Sequence, residues 1–132
     1  ILHTGTEYIP WVEGADGAGI GEWFEVETST IAWPIDFLLI SNGYVDFTKP
    51  QLYGYNNRIR KMRVDIVEHD VSFEVELDDT PRLQEIRLPA KISDGETTVR
   101  FTILDVYPGT KWDASRFTRV SRDVCSNSMI RR

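Results

Sequence analysis

An antiparallel all-β fold, a sandwich or a barrel, is what this sequence predicts. Three observations carry that reading. Short segments alternate apolar and polar residues with the period of a strand. Clusters of Gly, Pro, Asn and Asp separate these segments at short spacing. No stretch combines helical periodicity with helix caps. The chain has 132 residues, about right for one domain with one core, and it reads as a single domain over 1–132.

Residues 1–10 read as loop, with Pro10 blocking a helix before Trp11. The rest of the chain is organised around the segment Trp11 to Val26. Four glycines (Gly14, Gly17, Gly19 and Gly21) lie between Trp11 and Trp23. Such density permits backbone angles that side chains forbid, and it points to an ordered loop framed by aromatics. A phosphate role does not fit. The segment lacks the lysine followed by Ser or Thr, misses the dinucleotide spacing and leads into a strand. Glu22–Thr28 alternates, with Phe24 and Val26 against Glu25 and Glu27. Ile35–Ser41 is nearly all apolar, which suits a strand covered on both faces. Asn42-Gly43 turns the chain.

Residues 44–57 read as a long loop rich in aromatics and asparagine, and loops of this length are usually functional or self-packed. Arg58–Val67 and Val71–Leu77 then form the firmest hairpin. Met62, Val64 and Ile66 share one face of its first strand, and Val71, Phe73, Val75 and Leu77 one face of its second. Asp78-Asp79-Thr80-Pro81 makes the next turn. Leu83–Leu88, Thr98–Val106 and Phe117–Val124 complete seven expected strands. Tyr107-Pro108-Gly109-Thr110 is a tight turn, and 126–132 reads as a frayed tail.

Charge narrows the functional classes. The net charge is −6, but the first 48 residues hold eight carboxylates and no Lys or Arg, whereas the rest has 15 basic and 13 acidic residues. An acidic first third does not form a nucleic-acid footprint. It is either a solvated acidic face or a cation site. Glu13, Asp16 and Glu22 could offer oxygen ligands to calcium, although they match no calcium-loop spacing. No apolar run reaches the length of a membrane span, so membrane insertion is not expected. The first residue is Ile, and the chain reads as excised or processed. Cys125, the single cysteine, rules out an internal disulfide.

Catalytic signatures are lacking. His3 and His69 match no metal spacing, and there are no zinc motifs and no nucleophile elbow. Asp78 and Asp79 read as turn formers rather than an acid–base pair. Trp11, Trp23, Trp33 and Trp112 read as core or rim residues. Loop aromatics are, however, the usual platform for sugar rings, while nearby Asn, Arg and Asp bond the hydroxyls. Tyr53, Tyr55, Asn56, Asn57 and Arg58 have that chemistry. The alternative for the same residues is a turn at Asn56-Asn57 with Arg58 paired locally and bracing the loop.

Four motifs in order carry a resemblance. They are Trp-Val-Glu-Gly followed by Gly-Ile-Gly-Glu-Trp (11–14, 19–23), Ile-Ser-Asn-Gly-Tyr (40–44), Tyr-Asn-Asn-Arg-Ile-Arg-Lys-Met-Arg (55–63) and Ile-Leu-Asp-Val-Tyr-Pro-Gly-Thr-Lys-Trp-Asp (103–113). Over nearly its whole length the chain resembles the discoidin-type, galactose-binding-like modules of bacteria, above all the NADase-type glycan-binding domains. The resemblance implies an eight-stranded jelly-roll sandwich, here expected to lack its first strand and so to leave a sheet edge open to self-association. It also implies a non-catalytic, glycan-binding module of a secreted, periplasmic or surface protein. Thr4-Gly5-Thr6 stands where the family has Asp-Gly-Asp, so a family calcium turn does not carry over and no cofactor is assigned.

The expected function is therefore a non-enzymatic ligand-binding module for carbohydrate, using Trp11, Glu13, Asp16, Tyr53, Tyr55, Asn57 and Arg58. The alternative is a protein-interaction or adhesion module using the same loops or an open sheet edge.

Overall fold

The computed structural model describes residues 8–12, 19–29, 34–93, 95–110, 116–121 and 128–131. They form nine strands: β1 (Tyr8–Val12), β2 (Trp23–Ser29), β3 (Ile35–Ser41), β4 (Arg58–Ile66), β5 (Val71–Glu76), β6 (Gln84–Ile92), β7 (Glu96–Tyr107), β8 (Arg116–Ser121) and β9 (Ser128–Arg131). One sheet has the order β1-β8-β3-β6 and the other β5-β4-β7-β2-β9, with all pairings antiparallel. The predicted all-β antiparallel sandwich is what forms.

The core lies between the sheets because strands β2, β3, β4, β6 and β7 turn apolar residues inward. Leu38, Ile40, Ile86 and Leu88 come from the four-stranded sheet, and Phe24, Met62, Val64, Val99, Phe101 and Ile103 from the five-stranded one. Phe24 and Phe101 sit opposite each other in register and stack at 5.1 Å between centroids. Burying side chains of this size contributes roughly 1.5–3 kcal/mol each. The predicted hairpin is β4–β5, with Met62 opposite Val75 and Val64 opposite Phe73. At the start of β4 the pairing with β7 slips between Ile59 and Met62, so both are buried although three residues apart. A bulge of this kind re-aims the side chains beside it.

Four expectations are corrected. The end of segment 1–10, read as loop, and the start of the glycine-rich segment at Trp11 together form β1, Tyr8–Val12. Pro10 is accommodated in an edge strand whose pairing with β8 is irregular between Tyr8 and Trp11, the two settings in which a strand accepts a residue without an N–H. Residues 128–131, read as a frayed tail, form β9, which sets Ile130 opposite the core position Val26. Local polarity hid that long-range pairing. β3 is not covered equally on both faces, since Asp36, Phe37 and Leu39 are only half-buried. The nine described strands also exceed the eight that the resemblance implies.

Register brings six strand ends together. Ile40 pairs with Gln84, Arg58 with Tyr107 and Lys61 with Glu76. The ends of β3, β5 and β7 therefore meet the starts of β4 and β6 at one end of the sandwich. β2 also starts there, with Trp23 opposite Thr102. Gly19 and Gly21 lead into it with positive φ of 74° and 91°, as the glycine-rich segment required.

Candidate functional site: a braced loop and its groove

The chain leaves β3 through Asn42, which is fully buried. A buried amide must find partners for both of its ends. Its Nδ2 donates to the carbonyls of Ile59 at 2.9 Å and Asp78 at 3.0 Å. That leaves Oδ1 to accept the Tyr53 hydroxyl at 2.9 Å. One side chain thus ties the end of β3 to β4 and to the turn after β5. The Tyr53 hydroxyl also lies 3.0 Å from Asp79 Oδ1, so two acceptors flank it.

Arg58 closes the arrangement. Its Nε and Nη2 grip the two Asp79 oxygens at 3.0 and 2.7 Å. Its Nη1 donates to the carbonyls of Asn56 at 3.2 Å and Pro108 at 3.0 Å. The guanidinium carbon lies 5.4 Å from the ring centre of Tyr53 and 6.0 Å from that of Tyr107, within cation–π range. Arg58's side chain is only 11% exposed, whereas Asp79, at 40%, keeps its side of the fork in contact with water. Asn57 Oδ1 accepts the Gly109 N–H at 2.6 Å, and the Tyr107 hydroxyl donates to the Leu77 carbonyl at 2.7 Å. Loops 42–57, 77–83 and 107–110 are thereby fixed to one another.

Within the first of these loops, residues Leu52–Tyr55 form a single helical turn, α1. The sequence reading missed it because one turn shows no periodicity. Gly43 is required by close approach: a Cβ there would come within 2.7 Å of Arg58 Cγ and 2.8 Å of Tyr53 Cε2.

The electrostatics describe a brace rather than acid–base machinery. The hydrogen bonds from Arg58, with a smaller share from Tyr53, hold the Asp79 carboxyl below the usual carboxylate range. Burial, followed by the neighbouring Asp79, pushes the Tyr53 phenol up. Asp79 stays ionised and Tyr53 stays protonated, whereas catalysis near neutral pH needs a group poised to change state.

Beside the brace lies a groove of about 330 Å³, lined by Ser41, Val45, Phe47, Pro81, Arg82 and Leu83. That volume falls at the lower end of small-ligand sites. Phe47 is 76% exposed, a large apolar residue left in water. A local turn sets it there: Asp46 Oδ1 accepts the Thr48 N–H at 2.9 Å and its hydroxyl at 2.6 Å, and the Lys49 N–H donates to the Asp46 carbonyl at 3.1 Å. The opposite wall follows directly from Asp79, with the Arg82 N–H on Thr80 Oγ1 and the Ser41 hydroxyl on the Pro81 carbonyl, both at 3.3 Å.

The residues predicted for ligand contact fall into three groups. Tyr53, Asn57 and Arg58 come together in the brace, beside the groove rather than on its lining. Tyr55 is half-buried in α1. Trp11 lies in β1 on a sheet edge, with its backbone alone described, while Thr4, Gly5, Thr6, Glu13, Asp16, Trp33, Trp112 and Cys125 lie outside the described residues. Among the described residues no three His, Cys, Asp or Glu side chains converge to hold a metal. The sequence reading missed Arg82, Pro81 and Leu83 because their loop carries no motif. Phe47 lay in the aromatic loop without a signal that singled it out.

Comparison with known proteins agrees with this architecture. The family model described as NAD glycohydrolase translocation F5/8 type C domain matches residues 2–123. The NMR structure of the Streptococcus pyogenes NAD+-glycohydrolase translocation domain superimposes with a TM-score of 0.51 at 24% identity, covering 84% of this chain and 93% of that one. At that identity the likeness shows the fold. No curated protein matches the chain. The matched unit is a translocation domain, a non-catalytic module. The chain belongs to the NAD glycohydrolase translocation F5/8 type C domain family.

Proposed function

We propose that this domain is a carbohydrate-binding module that works outside the producing cell, holding its parent protein to glycans on a surface. The observation that carries this reading is Phe47, 76% exposed on the wall of a groove whose loops are fixed by Asn42, Tyr53, Arg58 and Asp79. An aromatic face stacks on the apolar face of a pyranose, and a rigid platform loses little entropy when it binds. Tyr53, Asn57 and Arg58 serve the ligand by holding that platform. A role in translocation, which the family description names, fits a module that attaches cargo to a surface before passage.

A glycan array probed with the domain and with Phe47→Ala tests this. The wild type retains a subset of glycans and the variant loses them while melting at the same temperature. A blank array from a cooperatively folded wild-type domain contradicts the reading.

One observation favours a second reading. Val45, Phe47, Pro81 and Leu83 make the groove mostly apolar, which also suits a side chain of a surface protein. Pairing through the edges β5 and β6 has less support. Edge strand β5 presents Glu74 and Glu76, and edge strand β6 carries Pro89 and Lys91, devices that discourage strand addition.

A further inference from the structure

The groove has one polar feature that stacking does not use. Among the described residues, Arg58 pairs with Asp79, Arg60 with Asp105, Arg63 with Asp65, Arg87 with Glu85, and Arg100 with Glu25. Arg82 is exposed and pairs with no carboxylate among them. Its backbone is held, since its N–H donates to Thr80 Oγ1 and it lies between the groove residues Pro81 and Leu83. Among the described residues its guanidinium is thus a fixed-base cation without a carboxylate, on the wall of the groove that Phe47 lines.

Two carboxylates of the adjoining loops are engaged elsewhere. Asp79 is held in both oxygens by Arg58. Asp46 turns Oδ1 into its own loop toward Thr48, next to Lys49. A guanidinium beside an apolar platform selects a ligand that offers a carboxylate and a flat apolar ring face together. Arg presents paired N–H donors that match a carboxylate fork, and such charge-assisted bonds are the stronger kind.

We infer that the groove between Phe47 and Arg82 binds an acidic sugar, with the pyranose face on the Phe47 ring and the sugar carboxylate on the Arg82 guanidinium. This rests on the carbohydrate-binding reading and adds the class of sugar.

The test uses matched glycan pairs that differ only at a terminal carboxylate, such as sialyllactose against its sialic-acid C1 carboxamide and a glucuronic-acid-terminated disaccharide against its glucose counterpart. They are titrated into the full chain, into Arg82→Gln and into Phe47→Ala. The acidic member binds at least tenfold tighter, Arg82→Gln removes that preference, and Phe47→Ala removes binding of both members. Raising salt from about 0.05 to 0.5 M weakens the acidic member several-fold and leaves the neutral one unchanged, because screening acts on the exposed ion pair. Equal affinity within the pairs, or an Arg82→Gln variant that keeps the preference, overturns the acidic-sugar assignment and leaves carbohydrate binding standing. No binding of any sugar by a folded wild-type domain overturns both. Binding of an acidic peptide in place of the acidic sugars overturns the sugar class and moves the groove to protein recognition.

Discussion

Arg58 holds Asp79 through two parallel contacts, Nε to Oδ1 at 3.0 Å and Nη2 to Oδ2 at 2.7 Å. This pair joins the first residue of β4 to the turn after β5. Its third nitrogen reaches the Pro108 carbonyl beyond β7. Three chain segments far apart in sequence therefore share one guanidinium.

Arg58→Ala is expected to destabilise the domain by about 2–3 kcal/mol, the range for losing charge-assisted hydrogen bonds and leaving carbonyls unpaired. Arg58→Lys recovers only part of this, because an ammonium cannot make the two-pronged contact. Urea denaturation of the three proteins checks the order.

Acid should weaken the same contact. The folded-state pKa of Asp79 is depressed, chiefly by the Arg58 hydrogen bonds. A depressed carboxylate contributes stability that is present above its unfolded value, about 3.9, and is lost as pH falls through the lower folded value. Asp79→Asn is therefore less stable than wild type at neutral pH, and the gap narrows below about pH 4. Stability curves that stay parallel down to low pH would show that the pair carries no stabilising charge.

Two glycines of one loop should respond in opposite ways. Gly43→Ala places a methyl within 2.7 Å of Arg58 and 2.8 Å of Tyr53, and overpacking of this kind costs about 1–3 kcal/mol. Gly54 lies in α1 with nothing within 4 Å of a built Cβ, so Gly54→Ala is expected to be neutral or to stabilise by up to about 1 kcal/mol. Thermal melts of the two variants separate them.

Legibility in the sequence followed the range of the interactions. Strands with local alternation, such as Val71, Phe73 and Val75 in β5, read directly, and so did the hairpin they form with β4. The bracing alternative for Asn57 and Arg58 was also readable, since both polar groups follow a turn. Their partners were not: Asp79 lies 21 residues from Arg58, and Gly109 lies 52 from Asn57. β1 and β9 were hidden for the same reason, because an edge strand with Pro10 and a short polar strand gain their structure from distant neighbours. The groove escaped because it is made by two loops that approach only once β3 and β6 have paired.

Chemical-shift mapping with the best array ligand is the most direct test of the central claim, that the braced loops present a sugar site at Phe47. Amide shifts are expected to concentrate at residues 45–47 and 80–83, with the Arg58 and Asn57 signals moving little. Shifts centred on Trp11 and the glycine-rich loop, or binding that survives Phe47→Ala undiminished, would contradict it.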